Sequence, residues 1–147
     1  MKPRRIVVDS SVVVKWVNRI DELHLEQADD LLAQLEQGKV DIIAPELARY
    51  EVGNSLLKKN LELPFALDSL ATVYSLPITF FPETQELAFE AFRMASEAKE
   101  KGFKNVTYYD ASFTALAKQE DATLVTDNPK HQARIQDVKV LPLSRYS

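Results

Sequence analysis

The run Ile6–Val14, IVVDSSVVV, constrains this chain more than any other stretch. Three β-branched residues lead into Asp9, two serines follow, and the apolar character then resumes. Such a run reads as a short buried strand that carries a carboxylate to its C-terminal tip and turns into a helix. A charge beside a core is costly to bury. Asp9 therefore needs a helix N-terminus, a partner or a metal ion.

The rest of the chain limits which of these is available. With 147 residues, 1–147 is expected to form one domain with a real core. Apolar residues at 46% and charged residues at 27% are ordinary for a globular protein. No apolar run approaches the ~20 residues of a membrane helix. The N-terminal MKPRRIVVDSS meets an aspartate after three apolar residues, which does not read as a secretory signal. There is no cysteine, so disulfides, thiolate zinc sites and a cysteine nucleophile are excluded, and a cytoplasmic location is expected. A net charge of −4 argues against a broad nucleic-acid-coating surface, though not against an acidic centre with a local basic rim. The three glycines (Gly38, Gly53, Gly102) cannot build a phosphate-binding loop, and two histidines cannot make a three-histidine metal site.

Short apolar runs alternate with helical periodicity. Strands are expected at Ile6–Val8, Val40–Ala44, within Leu76–Phe81, at Thr123–Thr126 and at Val138–Leu141. Helices are expected over Val12–Val17, Asp21–Gln37, from Pro45 to Lys58 or Lys59, over Phe65–Tyr74 and Glu83–Lys101, and from Asp110 through ASFTALAKQ. The fold class is α/β: a mostly parallel central sheet of four or five short strands flanked by helices. In such sheets the ligand crevice lies outside the carboxyl ends of the strands, and Asp9 and Asp127 each follow a strand directly.

Four acids stand out, and each has an ordinary explanation alone. Asp9 and Asp110 are good helix caps, Asp127 before Asn-Pro is a typical turn residue, and Glu51 is a surface glutamate by default. Together they suit a hard divalent ion. Mg²⁺ and Mn²⁺ prefer oxygen ligands. Carboxylates gathered without metal repel, so at least one should titrate high. Ser10, Ser11, Asn54 and Thr126 are placed to orient carboxylates or metal-bound waters. Asn54 and Ser55 lie three and four residues beyond Glu51, on one helical face, between Val52 and Leu56 that should face the core.

The succession IVVDSS, PELARYEVGNSLLK, TYYDASFTALA and LVTDNPKH resembles the PIN domain, and more narrowly the VapC-type toxins of prokaryotic toxin–antitoxin pairs. The resemblance spans nearly the whole chain. It implies a Mg²⁺- or Mn²⁺-dependent endoribonuclease, with Asp9, Glu51 and Asp110 at the positions of the family's first three acids. Asp9 and Asp110 would be the principal metal ligands. The fourth motif departs from the family's Thr, any residue, Asp: the chain reads Thr126–Asp127–Asn128. Either Asp127 turns inward as a ligand, which is the reading adopted, or Asn128 supplies a neutral oxygen, or the fourth carboxylate is missing. The resemblance also implies an RNA substrate, an antitoxin partner and a homodimer, for which the faces around Leu31–Leu35 and Phe65–Tyr74 are candidates if they are not core.

Lys15, Lys58, Lys59, Lys130 and His131 are candidates for a basic rim. Tyr108 and Tyr109 are candidates for stacking on bases, whereas Trp16 belongs with the core. The rivals are a phosphoacceptor receiver domain, disfavoured because the first strand offers one acid and the second ends in Pro45; a non-catalytic PIN-like binding module; and a PIN nuclease of RNA processing or of DNA.

Overall fold

A computed structural model describes residues 2–135 and 137–147. Its strands are β1 (Arg4–Val8), β2 (Val40–Pro45), β3 (Thr79–Phe81), β4 (Thr123–Thr126) and β5 (Val140–Pro142). They form one sheet in the order β3-β2-β1-β4-β5, and every pairing is parallel. Six α-helices flank it: α1 (Ser10–Val17), α2 (Leu25–Glu36), α3 (Leu47–Lys58), α4 (Leu63–Ser75), α5 (Gln85–Glu100) and α6 (Tyr108–Gln119). Ile6, Val7 and Val8 are all buried, as a strand covered on both faces requires. The α/β class and parallel sheet expected from the sequence are those observed.

The chain builds outward from β1 to β2 and β3, then crosses back to lay β4 on the other side of β1. The strand order therefore reverses between β1 and β4, and a crevice opens there at the carboxyl edge. Val8 pairs with Val125, so the next residues, Asp9 and Thr126, come side by side at that edge.

Local chemistry moves several element boundaries. α2 starts at Leu25 rather than Asp21, because Asp21 (φ 59°) and His24 (φ 56°) adopt left-handed backbone that no right-handed helix accommodates. Pro45 closes β2 instead of opening α3, and Glu46 takes the cap position. α6 starts at Tyr108 rather than Asp110. Thr107 is its cap, and Asp110 sits three residues on, closing a capping box. β5 begins two residues later than expected, at Val140.

Val12, Val13 and Val14 are buried around α1, beside Leu31 of α2 and Val52 and Leu56 of α3. Leu31 is wholly buried, and Leu35 packs half-buried against the same core. Phe65, Leu67 and Tyr74 of α4 are exposed. A second, alanine-rich cluster joins α5 to α6 through Ala91, Met94, Ala98, Ala111 and Ala115. Among the described residues no helix is long and apolar enough to cross a membrane.

Candidate active site

Asp9 is 8% exposed at the tip of β1. It caps α1, and Oδ1 accepts from the Ser11 backbone N–H at 3.1 Å and from the Ser11 hydroxyl. Oδ2 accepts from Thr126 Oγ1 at 2.5 Å. Each hydroxyl is itself approached by a main-chain donor: Asp127 N–H gives to Ser11 Oγ at 2.9 Å, and Asn128 N–H gives to Thr126 Oγ1 at 3.1 Å. A hydroxyl has one proton. With an N–H pointing at its oxygen, that proton is aimed at Asp9. Burial pushes the Asp9 carboxyl up, and the Ser11 and Thr126 hydrogen bonds pull it back.

Glu51 enters from the second turn of α3. Its carboxyl is pushed up to about 7, first by burial and then by the negative charges of Asp9 and Asp110, while the Ser10 hydroxyl holds it back. Asp9 follows β1 directly, Glu51 lies in α3 and Asp110 in the first turn of α6. Asp110 spends Oδ2 on Thr107, whose backbone N–H and hydroxyl donate at 2.9 and 3.0 Å. Among the described residues no three acidic or histidine side chains close into a ready-made ion cage. The set still suits a hard cation: oxygen donors only, and a mutual repulsion that a positive ion relieves.

Asp127, expected to turn inward as a ligand, meets Lys15 and His24. Oδ2 lies 2.9 Å from Lys15 Nζ and Oδ1 lies 2.6 Å from His24 Nδ1. Lys15, expected on a basic rim, is 1% exposed and also meets Glu22 at 3.0 Å. Glu22 in turn meets Lys59 at 2.9 Å, and Lys59 Nζ donates to the carbonyls of Asn18 and Ile20. Two of the five candidate rim cations are thus internal, fixing the segment between α1 and α2. Lys15 is internal because α1 is buried and its ammonium sits between two acids that the fold brings to it. Asn54 is exposed and makes no side-chain hydrogen bond among the described residues; Asn128 is exposed too, linked to the site through its N–H. Trp16 packs on the core, and its indole N–H donates to the Ala28 carbonyl at 2.8 Å.

A cavity of about 250 Å³ is lined by Pro45, Tyr50, Phe81, Tyr108 and Tyr109, together with Glu46 and Glu83. Tyr50 and Tyr109 directly precede Glu51 and Asp110 in the chain.

A family model described as the PIN domain matches residues 6–138. The chain belongs to the PIN-domain family. Solved structures share the fold of this PIN domain at low sequence identity. The VapBC2 complex of Rickettsia felis, bound to a fragment of its promoter DNA, matches at 19% identity and TM-score 0.75, covering 94% of this chain and 98% of the other. VapC20 of Mycobacterium tuberculosis, a toxin that cleaves the sarcin–ricin loop, matches at 17% and 0.64, covering 83% and 87%. FitAcB of Neisseria gonorrhoeae matches at 19% and 0.69, covering 95% and 99%. No curated protein matches by sequence.

Three contributors to the PIN site escape a reading of the sequence: Thr107, Glu22 and His24. Thr107 carries a usable signal, a Thr three residues before an acid at a helix start. Glu22 and His24 carry none, because a left-handed turn with no glycine brings them in.

Proposed function

We propose that this PIN domain is a divalent-metal-dependent endoribonuclease, the toxin of a toxin–antitoxin pair. The observation that carries the reading is the arrival of Asp9, Glu51 and Asp110 at the strand-order switch, where burial first, and then the charges of Asp9 and Asp110, lift Glu51 to about 7. Asp9 and Asp110 would hold Mg²⁺ or Mn²⁺, and Glu51 would reach it directly or through water. When bound, the ion supplies an activated water and neutralises charge developing on phosphorus. An open edge suits Mg²⁺, which keeps several of its waters and binds through one or two carboxylates.

The chain's own groups do the positioning. Ser11 and Thr126 fix both oxygens of Asp9. Thr107 fixes Asp110. Glu51, lifted to about 7, is able to take up a proton at physiological pH. Asp127 is assigned a supporting role: Lys15 and His24 hold its carboxylate, and its main-chain N–H orients Ser11. The aromatic cavity suits unstacked bases, the form in which RNA is read. VapBC and FitAB complexes among the structural neighbours support an antitoxin partner. The exposed apolar face of α4 supports a homodimer. Action in the cytoplasm is consistent with a chain lacking cysteine.

The test is cleavage of a panel of structured RNAs, transfer RNA included, with Mg²⁺, Mn²⁺ or EDTA. Asp9→Asn and Asp110→Asn run alongside, since they keep shape and remove charge. Cleavage that needs metal and vanishes in both variants is expected. No cleavage of any RNA, with no metal binding by calorimetry, would leave a binding module instead.

A further inference from the structure

The two segments that deliver the site's later residues also form a cleft. Residues 102–106 lead into Thr107 and Asp110, and residues 130–134 follow directly on Asp127 and Asn128. Between them lies a cavity of about 390 Å³ lined by Lys104, Lys130, His131 and Arg134, with Phe103 and Asn105. Among the described residues no carboxylate lines it, and none of its four basic groups takes part in an ion pair. Arg5, Arg19, Arg93, Lys118, Lys15 and Lys59 meet acids elsewhere in the chain; here four basic groups gather around one cleft without an acid. Arg134 is held in place, its guanidinium carbon 5.0 Å from the centre of the Phe103 ring.

We infer that the cleft formed by residues 102–106 and 130–134 is the track for the phosphate backbone of a single-stranded RNA on one side of the scissile bond. The inference rests on the nuclease reading above. A strand whose scissile phosphate sits at Asp9 and Asp110 must leave the acidic edge past its neighbours. One exit is the aromatic cavity, where Glu46 and Glu83 repel phosphate and the tyrosine rings favour bases. The other is this cleft, where cations stand without competing anions. The two exits differ in kind, so the strand acquires a direction: backbone gripped on the α6–β4 side, bases stacked on the α3–α6 side. An acidic peptide would satisfy the charge but not the continuity with a hydrolytic edge.

The experiment uses the full chain and a fluorescein-labelled 12-nucleotide single-stranded RNA in EDTA, with affinity read by anisotropy across a salt series. The variants are Lys104→Ala, Lys130→Ala and Arg134→Ala, singly and together. Lys39→Ala, at the opposite edge of the sheet, is the control. Each cation withdrawn from a phosphate should lower the slope of log affinity against log salt by about 0.7, so the triple variant should lose about 2 from the slope. Its affinity should fall at least about tenfold near 0.1 M salt, while its Mn²⁺ affinity and the Lys39→Ala binding stay at wild type. A wild type that binds and cuts RNA beside a triple variant with unchanged slope overturns the track and leaves the nuclease reading intact. A wild type that neither binds nor cuts RNA overturns the nuclease reading itself. Competition by polyglutamate as potent as by unlabelled RNA assigns the cleft to acidic peptides and overturns the RNA assignment.

Discussion

Replacing Lys15 by methionine keeps the length and flexibility of the side chain and removes one buried charge. The ammonium sits 3.0 Å from Glu22 and 2.9 Å from Asp127 at 1% exposure. Breaking a buried pair by deleting one partner typically costs ~3–5 kcal/mol, because the other charge is left uncompensated. Here each orphaned acid keeps a second contact, Glu22 with Lys59 at 2.9 Å and Asp127 with His24 at 2.6 Å. The expected cost is therefore lower, about 2 kcal/mol, or a Tm fall of about 4–8 °C for a chain of this size. Urea unfolding followed by circular dichroism in EDTA measures it. Combining Lys15→Met with Asp127→Asn removes both sides of one contact, so the double variant should cost at least ~1 kcal/mol less than the sum of the singles. The Asp127→Asn single should retain most of the Mn²⁺ affinity that Asp9→Asn loses. A Lys15→Met cost under ~0.5 kcal/mol, or strict additivity, would mean that Lys15 is solvated and that Asp127 is free to serve elsewhere.

Three further outcomes follow from the same geometry. Thr126→Val removes the donor to Asp9 Oδ2, leaving a buried carboxylate oxygen short of a partner; in EDTA the protein should lose about 2 kcal/mol, and saturating Mn²⁺ should restore part of it. A loss of the same size with and without ion would separate Thr126 from the metal site. Glu51 is lifted from 4.5 to about 7, so the native state holds an extra proton between those values and the apo protein should lose stability as pH rises across that window. The ceiling is about 3 kcal/mol for a dry site and nearer 1 kcal/mol for a half-open one; Glu51→Gln should flatten the pH dependence, and an identical profile in wild type and variant would refute the raised Glu51 carboxyl. Thr107→Ala opens the capping box, with an expected cost of about 1 kcal/mol, a Tm fall of about 2–4 °C, and weaker Mn²⁺ binding as Asp110 loses its holder.

What is legible in the sequence is whatever depends on local order. Ile6–Val8 and Thr123–Thr126 announce buried strands by composition, and the acids at their tips follow without further argument. The convergence of Glu51 with Asp9 and Asp110 is legible because parallel topology puts helix starts and strand ends at one edge. Helix entry points are harder. Thr107 outcompetes Asp110 as a cap because its side chain reaches the third N–H while Asp110 reciprocates, a pairing visible only as a spacing. Lys15 and Lys59 look like surface cations in any linear reading. They are internal because Glu22 and Asp127 come from segments that only the folded chain places beside them. Asp127 reads as an inward-turning ligand for the same reason: its partners Lys15 and His24 are invisible along the chain.

The hydrogen bond from Thr126 to Asp9 spans 117 residues of chain, and that from Asp127 to Ser11 spans 116. The first acid to be synthesised is thus among the last to be seated. During translation β1 and α1 emerge early, yet Asp9 keeps only its local cap until β4 inserts beside it. Non-local pairings of this kind form late, after the loop-closure entropy between them has been met. A PIN chain lacking β4 presents Asp9 without the Thr126 hydroxyl and with a Ser11 hydroxyl that no Asp127 N–H orients, so the site stays incomplete until β4 is seated.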